Sequence, residues 1–509
     1  MSDQNNDGFG PENRREVSSA QVMRAAAWLS LAKIASYAAA FLSTIILARI
    51  LVPSDFGVIA ISMAIVGIAA GLLDLPVTSA LIALDSPTED EFNTAWTISI
   101  LRSILVSVII LAAAHPLAMV FNMPEIAPVV MALTGQTMIF GLRNPYFENF
   151  ARSLNFSWDV LAEVSAKVVQ VIVSISAALI WKSYWAFVAG MLAGALVSMI
   201  VTYIAARRMP KLSLRSPRRL FGYSVWLGLS MIVNRLNQDA AYLISGRLFG
   251  QAILGQLHVG NKLSSEISHL ILTPIIRSLF SAFSRLADDM HRFRAAYLKA
   301  QSATMALSLP LGAGLALVAD PLIPLMLGPN WKEAVTIVQF YAPCTGLLLA
   351  AGPIRSVAMS LSRTKLMLGR DILNFVIRVS CLITGTLLFG FIGLLGSYAV
   401  STLIATVINL IFLKRLIQIS ILDQVSSFGR SILSTLLMVG VVLAVRQMIN
   451  FPDTVPGNIL TVGVLSACGM LTYASAHILL WTVHGRPDGI EQTALSFARK
   501  RLRARGFLR

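Results

Sequence analysis

Apolar stretches long enough to cross a bilayer recur from residue 24 to residue 482, separated by short clusters of charge, proline and glycine. Cutting the chain at those breaks gives about 14 candidate helices, each able to span a hydrocarbon core of about 30 Å. They run approximately over 24–48, 54–80, 93–114, 124–142, 157–180, 184–206, 222–246, 252–284, 300–320, 333–361, 368–389, 392–413, 429–447 and 457–482. A helix that is apolar all round needs protein or lipid on every side. The pattern predicts an all-α, polytopic membrane protein. Its segments are a polar tail over 1–21, a six-helix lobe over 22–206 and a basic linker over 207–221. A second six-helix lobe over 222–415, a further helix pair over 416–483 and a basic tail over 484–509 complete the chain.

Composition agrees: 56% of the 509 residues are hydrophobic and 13% charged, against about 45–50% and about 25% in soluble chains. The net charge of +16 does not point to nucleic acid, because no soluble segment offers a basic face interleaved with aromatics. The positive charge lies in short loops and the tail, where it orients the protein. With the N-terminus inside, the inner segments collect most lysines and arginines, from Arg14 to Arg430 and with Arg143 and Arg370 among them, and the C-terminal tail adds Arg486 to Arg509. The outer loops hold only Arg49, Lys182, Arg247, Lys332 and Arg446. Both termini are therefore expected in the cytoplasm. Met1–Ala20 lacks the basic and short apolar regions of a cleaved signal, so the first span is expected to act as its own insertion signal. Trp96, Trp158, Trp181, Trp185, Trp331 and Trp481 fall at span ends, where interfacial anchors belong. Cys344, Cys381 and Cys468 have no partner spacing and read as packing residues.

The outer loops are too short for an external catalytic domain, which argues against a glycosyl polymerase. The acidic run Asp85–Glu91 reads as a solvated turn capping the third span on the inner side. The linker RRMPKLSLRSPRR, Arg207–Arg219, reads as a solvated connector facing lipid headgroups. The two halves also repeat. LARILVPSDFGVIA from Leu47 aligns with SGRLFGQAILGQLH from Ser245, placing Arg49 on Arg247, Ile50 on Leu248 and Gly57 on Gly255 at one constant offset. Each bundle has an even number of spans, so the copies lie parallel about an axis along the membrane normal, an arrangement found in transporters with the substrate path between the halves. Within the motif, Ser54 or Asp55 is expected to cap the second span. Gly57 and Gly255 allow close packing, and Gly67–Gly71 and Gly190–Gly194 fit small-xxx-small helix contacts.

LARILVPSDFGVIAIS and LLDLPVTSALIALDSPTEDEFNTAWTIS in the first half, with AILGQLHVGNKL, SAFSRLADDMHRFRAAYLKA and DPLIPLMLGPNWKEAVTIVQFYAP in the second, resemble the motifs of Wzx-type polysaccharide flippases. The resemblance covers roughly residues 22–420. It implies the fold of the multidrug/oligosaccharidyl-lipid/polysaccharide exporter superfamily, two lobes around a central cavity, in a bacterial inner membrane. It further implies an undecaprenyl-diphosphate-linked oligosaccharide as cargo, moved without an enzymatic step or cofactor. A polysaccharide polymerase and co-polymerase are implied as partners. The last two spans fall outside the twelve-helix core.

Ionisable residues deep in spans cost about 2.5–3.5 kcal/mol each on insertion scales and so face protein or water. The cations are Lys33, Arg102, Lys167, Arg235, Lys262, Arg277, Arg355 and Arg378; the acids are Asp74, Glu163, Asp239 and Glu266. Glu163–Lys167, Arg235–Asp239 and Lys262–Glu266 have the i,i+4 spacing of intrahelical pairs. The run Asn234-Arg235-Leu236-Asn237-Gln238-Asp239 and the stripe His258, Lys262, Ser265, His269 suggest a wet cavity wall. Ser30, Lys33 and Tyr37, and Asp371, Asn374 and Arg378, form similar stripes. The surplus of cations suits a diphosphate, with Arg235 and Arg378 leading as bidentate phosphate partners, then Lys33 and Lys262. Asn234, Asn237, Arg102, Lys167, Arg355 and Arg277 are further substrate contacts, although Arg277 and Arg355 fit equally as residues reaching the cytoplasmic face. Asp74, Asp239 and Glu266 are candidate ion-coupling acids. His258 and His269 fit either proton carriage or core hydrogen bonding. The alternative within the superfamily is a cation-coupled multidrug exporter, which should depend on buried acids without a surplus of cations.

Overall fold

The computed structural model describes residues 19–72, 81, 87–153, 155–216, 225–286, 288–349, 353–361, 363–449, 451–452 and 454–483, with backbone only for 19–32, 72, 225–227, 267–282 and 284. The first half consists of the helices Ser19–Ile50, Pro53–Leu72, Glu89–Phe121, Ile126–Gly141, Ser157–Trp181 and Trp185–Ala206. Ile126–Gly141 continues, after a bend of 56°, into the short Pro145–Arg152 segment. The second half holds Val225–Arg285, Met290–Leu327, Lys332–Leu349, Pro353–Ser360 and Thr364–Ile417, followed by the pair Ile421–Met448 and Val455–Val483.

Two of these helical runs are hairpins. Thr364–Ile417 has 54 residues, about 81 Å if straight. Gly390 interrupts it with φ 61, a conformation that L side chains rarely adopt. A Cβ on Gly385 would lie 3.2 Å from the Cβ of Ser397, whereas residues twelve apart on a straight helix are about 18 Å apart. The chain therefore doubles back. Val225–Arg285 does the same at Gly250, where φ is 77. Beyond that break Asn261 Nδ2 donates to the Tyr242 hydroxyl at 2.5 Å. These turns fall in the gaps expected between 222–246 and 252–284 and between 368–389 and 392–413.

Among the described residues, ten helices are long and apolar enough to cross a membrane, or eleven if the bent pair is one span. This is fewer than the fourteen spans expected, in part because the Thr364–Ile417 hairpin counts once. Val225–Arg285 is outside that set, and its Asn234–Asp239 run is polar.

The halves meet where the repeated motif lies. A Cβ on Gly57 would overlap the carbonyl oxygen of Gln251, and one on Gly255 would overlap that of Pro53. Pro53 and Gln251 stand at the same offset as Gly57 and Gly255, so equivalent residues make reciprocal backbone contacts. Around this crossing, Arg49 donates to the carbonyls of Leu325 and Met326 at the end of Met290–Leu327. Trp331 Nε1 donates to Ala48 O at 3.0 Å, and the Phe56 ring packs edge-on against Trp331 at 5.1 Å. Trp331 is buried: it joins the lobes instead of anchoring at the lipid interface. Trp481 is buried as well, whereas Trp181 and Trp185 are exposed.

The last helix pair packs on Met290–Leu327. Met438, Val442 and Leu465 form a buried cluster with Val318. Arg446 pairs with Asp320, and the Tyr473 hydroxyl donates to Ala306 O at 2.7 Å.

Several local expectations change. Asp55 lies inside the second helix, accepting from Val52 N at 3.3 Å and from Tyr184 N at 3.2 Å, so it ties the helix start to the loop before Trp185–Ala206. The acidic run does cap the third span, through a capping box between Thr88 and Glu91; Asp85 and Ser86 lie outside the described residues. Gly190 and Gly194 pack on Ser174 and Ala166 of Ser157–Trp181, while Gly67 faces a guanidinium and Gly71 has open space.

Candidate functional site

A cavity of about 500 Å³ opens inside the first half. Ser19–Ile50 contributes Tyr37, the bent region Gln136 and Arg143, and Ser157–Trp181 contributes Asp159, Glu163, Lys167 and Gln170. Glu266 reaches it from the second half. Its wall is thus shared between lobes.

The charges inside it are rearranged relative to the i,i+4 spacing. Glu163 does not close on Lys167. Lys33 Nζ donates to both of its carboxylate oxygens, at 3.1 and 3.0 Å, tying the first helix to Ser157–Trp181. Lys167 instead donates to Gln170 Oε1 at 3.3 Å and lies in electrostatic reach of Glu163 and Glu266. Lys262 in turn neighbours Glu266 and Lys167. A charged seam therefore runs from Lys33 through Glu163 and Lys167 to Glu266 and Lys262. The charged groups lining the cavity are Arg143, Lys167, Asp159, Glu163 and Glu266, a mixed set without a surplus of cations.

The other site residues lie in separate places. Arg235 Nε sits 2.6 Å from Asp239 Oδ2, so this intrahelical pair forms as spaced. Its guanidinium also lies on Gly67 of the first half, where a Cβ would overlap it. Beside it, Gln238 Nε2 donates to Asn234 Oδ1 at 2.7 Å. The buried Asn237 Oδ1 has no hydrogen-bond partner among the described residues. Arg378 is 4.4 Å from the centre of the Tyr398 ring, which stacks on Tyr341 at 3.8 Å. That arrangement places Arg378 against an aromatic pair within the second lobe. Arg355 lies 3.7 Å from Asp371, which also takes Arg370 at 3.5 Å and the Ser230 hydroxyl. Arg102 borders a smaller cavity of about 200 Å³ that shares Phe140, Arg143 and Phe147 with the larger one. His258 is half-buried beside the Tyr242 ring, 5.6 Å away. Asp74 lies outside the described residues, as do the side chains of Ser30, His269 and Arg277.

Arg143 was counted above among the orienting loop charges, yet it stands between both cavities, 6.0 Å from the centre of the Phe147 ring. The helix break at Asn144–Pro145, with Phe140 and Phe147 on either side, is the sequence signal. An ordinary polar loop does not carry such bulky apolar flanks, and the bend folds this one inward. Arg370 was likewise read as a loop charge; it pairs with Asp371 and donates from Nε to Asn409 Oδ1 at 2.8 Å.

Comparison with known proteins sets this geometry in a family. A family model described as polysaccharide biosynthesis protein matches residues 46–336, more than half of the chain. The chain belongs to the polysaccharide biosynthesis protein family. Among its curated relatives, the lipopolysaccharide biosynthesis protein WzxC of Escherichia coli (strain K12) is 23% identical over 390 residues, covering 75% of this chain and 79% of WzxC. The succinoglycan biosynthesis transport protein ExoT of Rhizobium meliloti (strain 1021) is 24% identical over 336 residues, covering 65% of this chain and 68% of ExoT. In fold, the chain is similar to the lipid II flippase MurJ in an inward closed conformation, with TM-score 0.70 and 13% identity, covering 90% of this chain and 99% of that one. An inward-facing MATE-family transporter matches with TM-score 0.58 and 13% identity, over 75% of this chain and 94% of that one. This family member is a multi-pass membrane protein with a transporter fold, and not an enzyme.

Proposed function

We propose that this polysaccharide biosynthesis protein flips an undecaprenyl-diphosphate-linked oligosaccharide repeat unit across the bacterial inner membrane by alternating access, feeding exopolysaccharide or lipopolysaccharide synthesis. One observation carries the reading: a charged cavity walled by both lobes, in a chain whose lobes close on each other at the repeated glycines. Both termini lie in the cytoplasm, so the Gly57–Gly255 crossing is on the outer side and its closure leaves access from inside. The glycan headgroup enters the cavity while the lipid tail stays in the bilayer. Lys33, Lys167 and Lys262 meet the diphosphate and sugar hydroxyls; Lys33 is held by Glu163, with which substrate must compete, and Lys167 by the Gln170 amide. Arg235, beside Gly67, is the cation at the lobe interface. Arg102, Arg355, Arg378, Asn234 and Asn237 serve the path beyond, and Asp239 and Glu266 are the acids best placed for ion coupling. A polymerase and co-polymerase receive the product.

Deleting the gene should stop surface display of the polymer and leave lipid-linked repeat units accumulated in the inner leaflet, measured by extraction and sided glycan labelling. Normal display without accumulation would overturn the proposal. Cationic drug export is favoured by one observation, the acids among the cavity-lining groups. Sensitivity of the deletion strain to cationic dyes, with normal polymer, would support that reading instead.

A further inference from the structure

The basic linker between the lobes, expected as a solvated connector facing lipid headgroups, is bonded along its backbone to the first lobe over residues 208–216. After Trp185–Ala206, Arg207 adopts a left-handed conformation with φ 50, and the chain runs back along the first turns of Glu89–Phe121. There the amide of Lys211 donates to Asn93 Oδ1 at 2.8 Å, that of Ser213 to Thr97 Oγ1 at 2.9 Å and that of Ser216 to Thr94 Oγ1 at 3.3 Å. Asn144 Nδ2 donates to Arg208 O at 2.7 Å, and Arg208 pairs with Glu89 at 3.0 Å. Side chains of Glu89–Phe121 and of the break at Asn144 thus hold the linker backbone as a fixed strap.

Pinning the backbone on one side leaves the side chains on the other. Met209, Leu212 and Leu214 are 77%, 72% and 54% exposed, and Arg207, Lys211 and Arg215 are exposed among them. The depth of the strap follows from the helix beneath it. One turn beyond Thr97, that helix exposes Leu101, Ile104 and Leu105, the start of its lipid-facing stripe. The strap therefore sits where headgroups give way to acyl chains. Of the three acids in the first turn of the helix, Glu89 is paired with Arg208, Glu91 closes the cap and Asp90 remains, against the four cations Arg207, Arg208, Lys211 and Arg215 of the strap, so basic charge exceeds acidic locally. Exposed apolar side chains interleaved with cations match an anionic bilayer surface.

We propose that residues 207–216 are a docking strap for anionic phospholipid. Met209, Leu212 and Leu214 enter the acyl boundary, and Arg207, Lys211 and Arg215 hold the phosphate headgroups. The strap fixes the first lobe to that leaflet while the second lobe moves, whatever the cargo.

The test attaches the environment-sensitive fluorophore NBD to Leu212→Cys in the full chain, with Cys344, Cys381 and Cys468 replaced by alanine, in vesicles of phosphatidylcholine with increasing phosphatidylglycerol. Quenching should come from lipids carrying a nitroxide near the head of the acyl chain, exceed quenching by aqueous iodide, and rise with phosphatidylglycerol. Lys211→Gln with Arg215→Gln should weaken that dependence, by about fivefold in apparent affinity for each charge removed. Iodide quenching that dominates in every vesicle, or lipid quenching indifferent to phosphatidylglycerol, would overturn the proposal. Protection from both quenchers would overturn it too, because a protein surface would then cover the strap.

Discussion

Cells carrying Gly57→Leu should lose polysaccharide export while inserting the protein at normal levels. At this position even a methyl group would overlap the Gln251 carbonyl oxygen. The obstacle is backbone, so no rotamer change relieves it and the lobes must separate at the crossing. Overpacking of this kind costs about 1–3 kcal/mol, which shifts a two-state equilibrium roughly five- to more than a hundredfold away from the closed crossing. Spin labels on Val52→Cys and Leu248→Cys, whose native side chains are exposed on the two sides of the crossing, should report a longer distance in the variant. Gly440→Ala is the control, because its added Cβ meets nothing within 4 Å. Unchanged distances with normal export would remove the crossing from the mechanism.

Arg235→Ala should reduce export at least as severely. The variant leaves Asp239, whose side chain is 8% exposed, without its cation at 2.6 Å. Truncating one partner of a buried pair costs about 3–5 kcal/mol; the cost is smaller here because the Arg235 side chain is 42% exposed and water reaches it. Two roles can then be separated by adding Asp239→Asn. If Arg235 only neutralises Asp239, the double variant regains both thermal stability and export. The account predicts recovered stability, read as the melting temperature in detergent, with export still lost because the substrate's phosphate has no cation at the interface of the lobes. Recovery of both would make the pair structural.

The hydropathy pattern carried most of the architecture because a bilayer forces each span to be long and apolar. The ends of Ser157–Trp181 and Trp185–Ala206 fall within a residue of those expected, and both hairpin turns fall at glycines in the expected gaps. The repeat was legible from a few aligned residues, and the structure gives it a physical basis in the reciprocal contacts of Gly57 and Gly255. Pairing of charges was less legible. The spacing of Glu163 and Lys167 permits a bridge, but it cannot reveal that Lys33, distant in sequence, arrives closer. Arg143 and Arg370 escaped for a related reason. Each stands near a predicted helix end, where a cation ordinarily signals orientation, and only tertiary folding turns it inward. The Tyr398 ring against Arg378 was not legible either, because it comes from the far arm of the hairpin.

The most direct measurement reconstitutes the purified chain in vesicles loaded with labelled undecaprenyl-diphosphate-linked oligosaccharide, and follows its exposure to a membrane-impermeant glycosidase. The account predicts that substrate from the protected leaflet becomes cleavable with the native chain and does not with Gly57→Leu. Exposure no faster than in protein-free vesicles, while the same vesicles move a cationic dye, would contradict it.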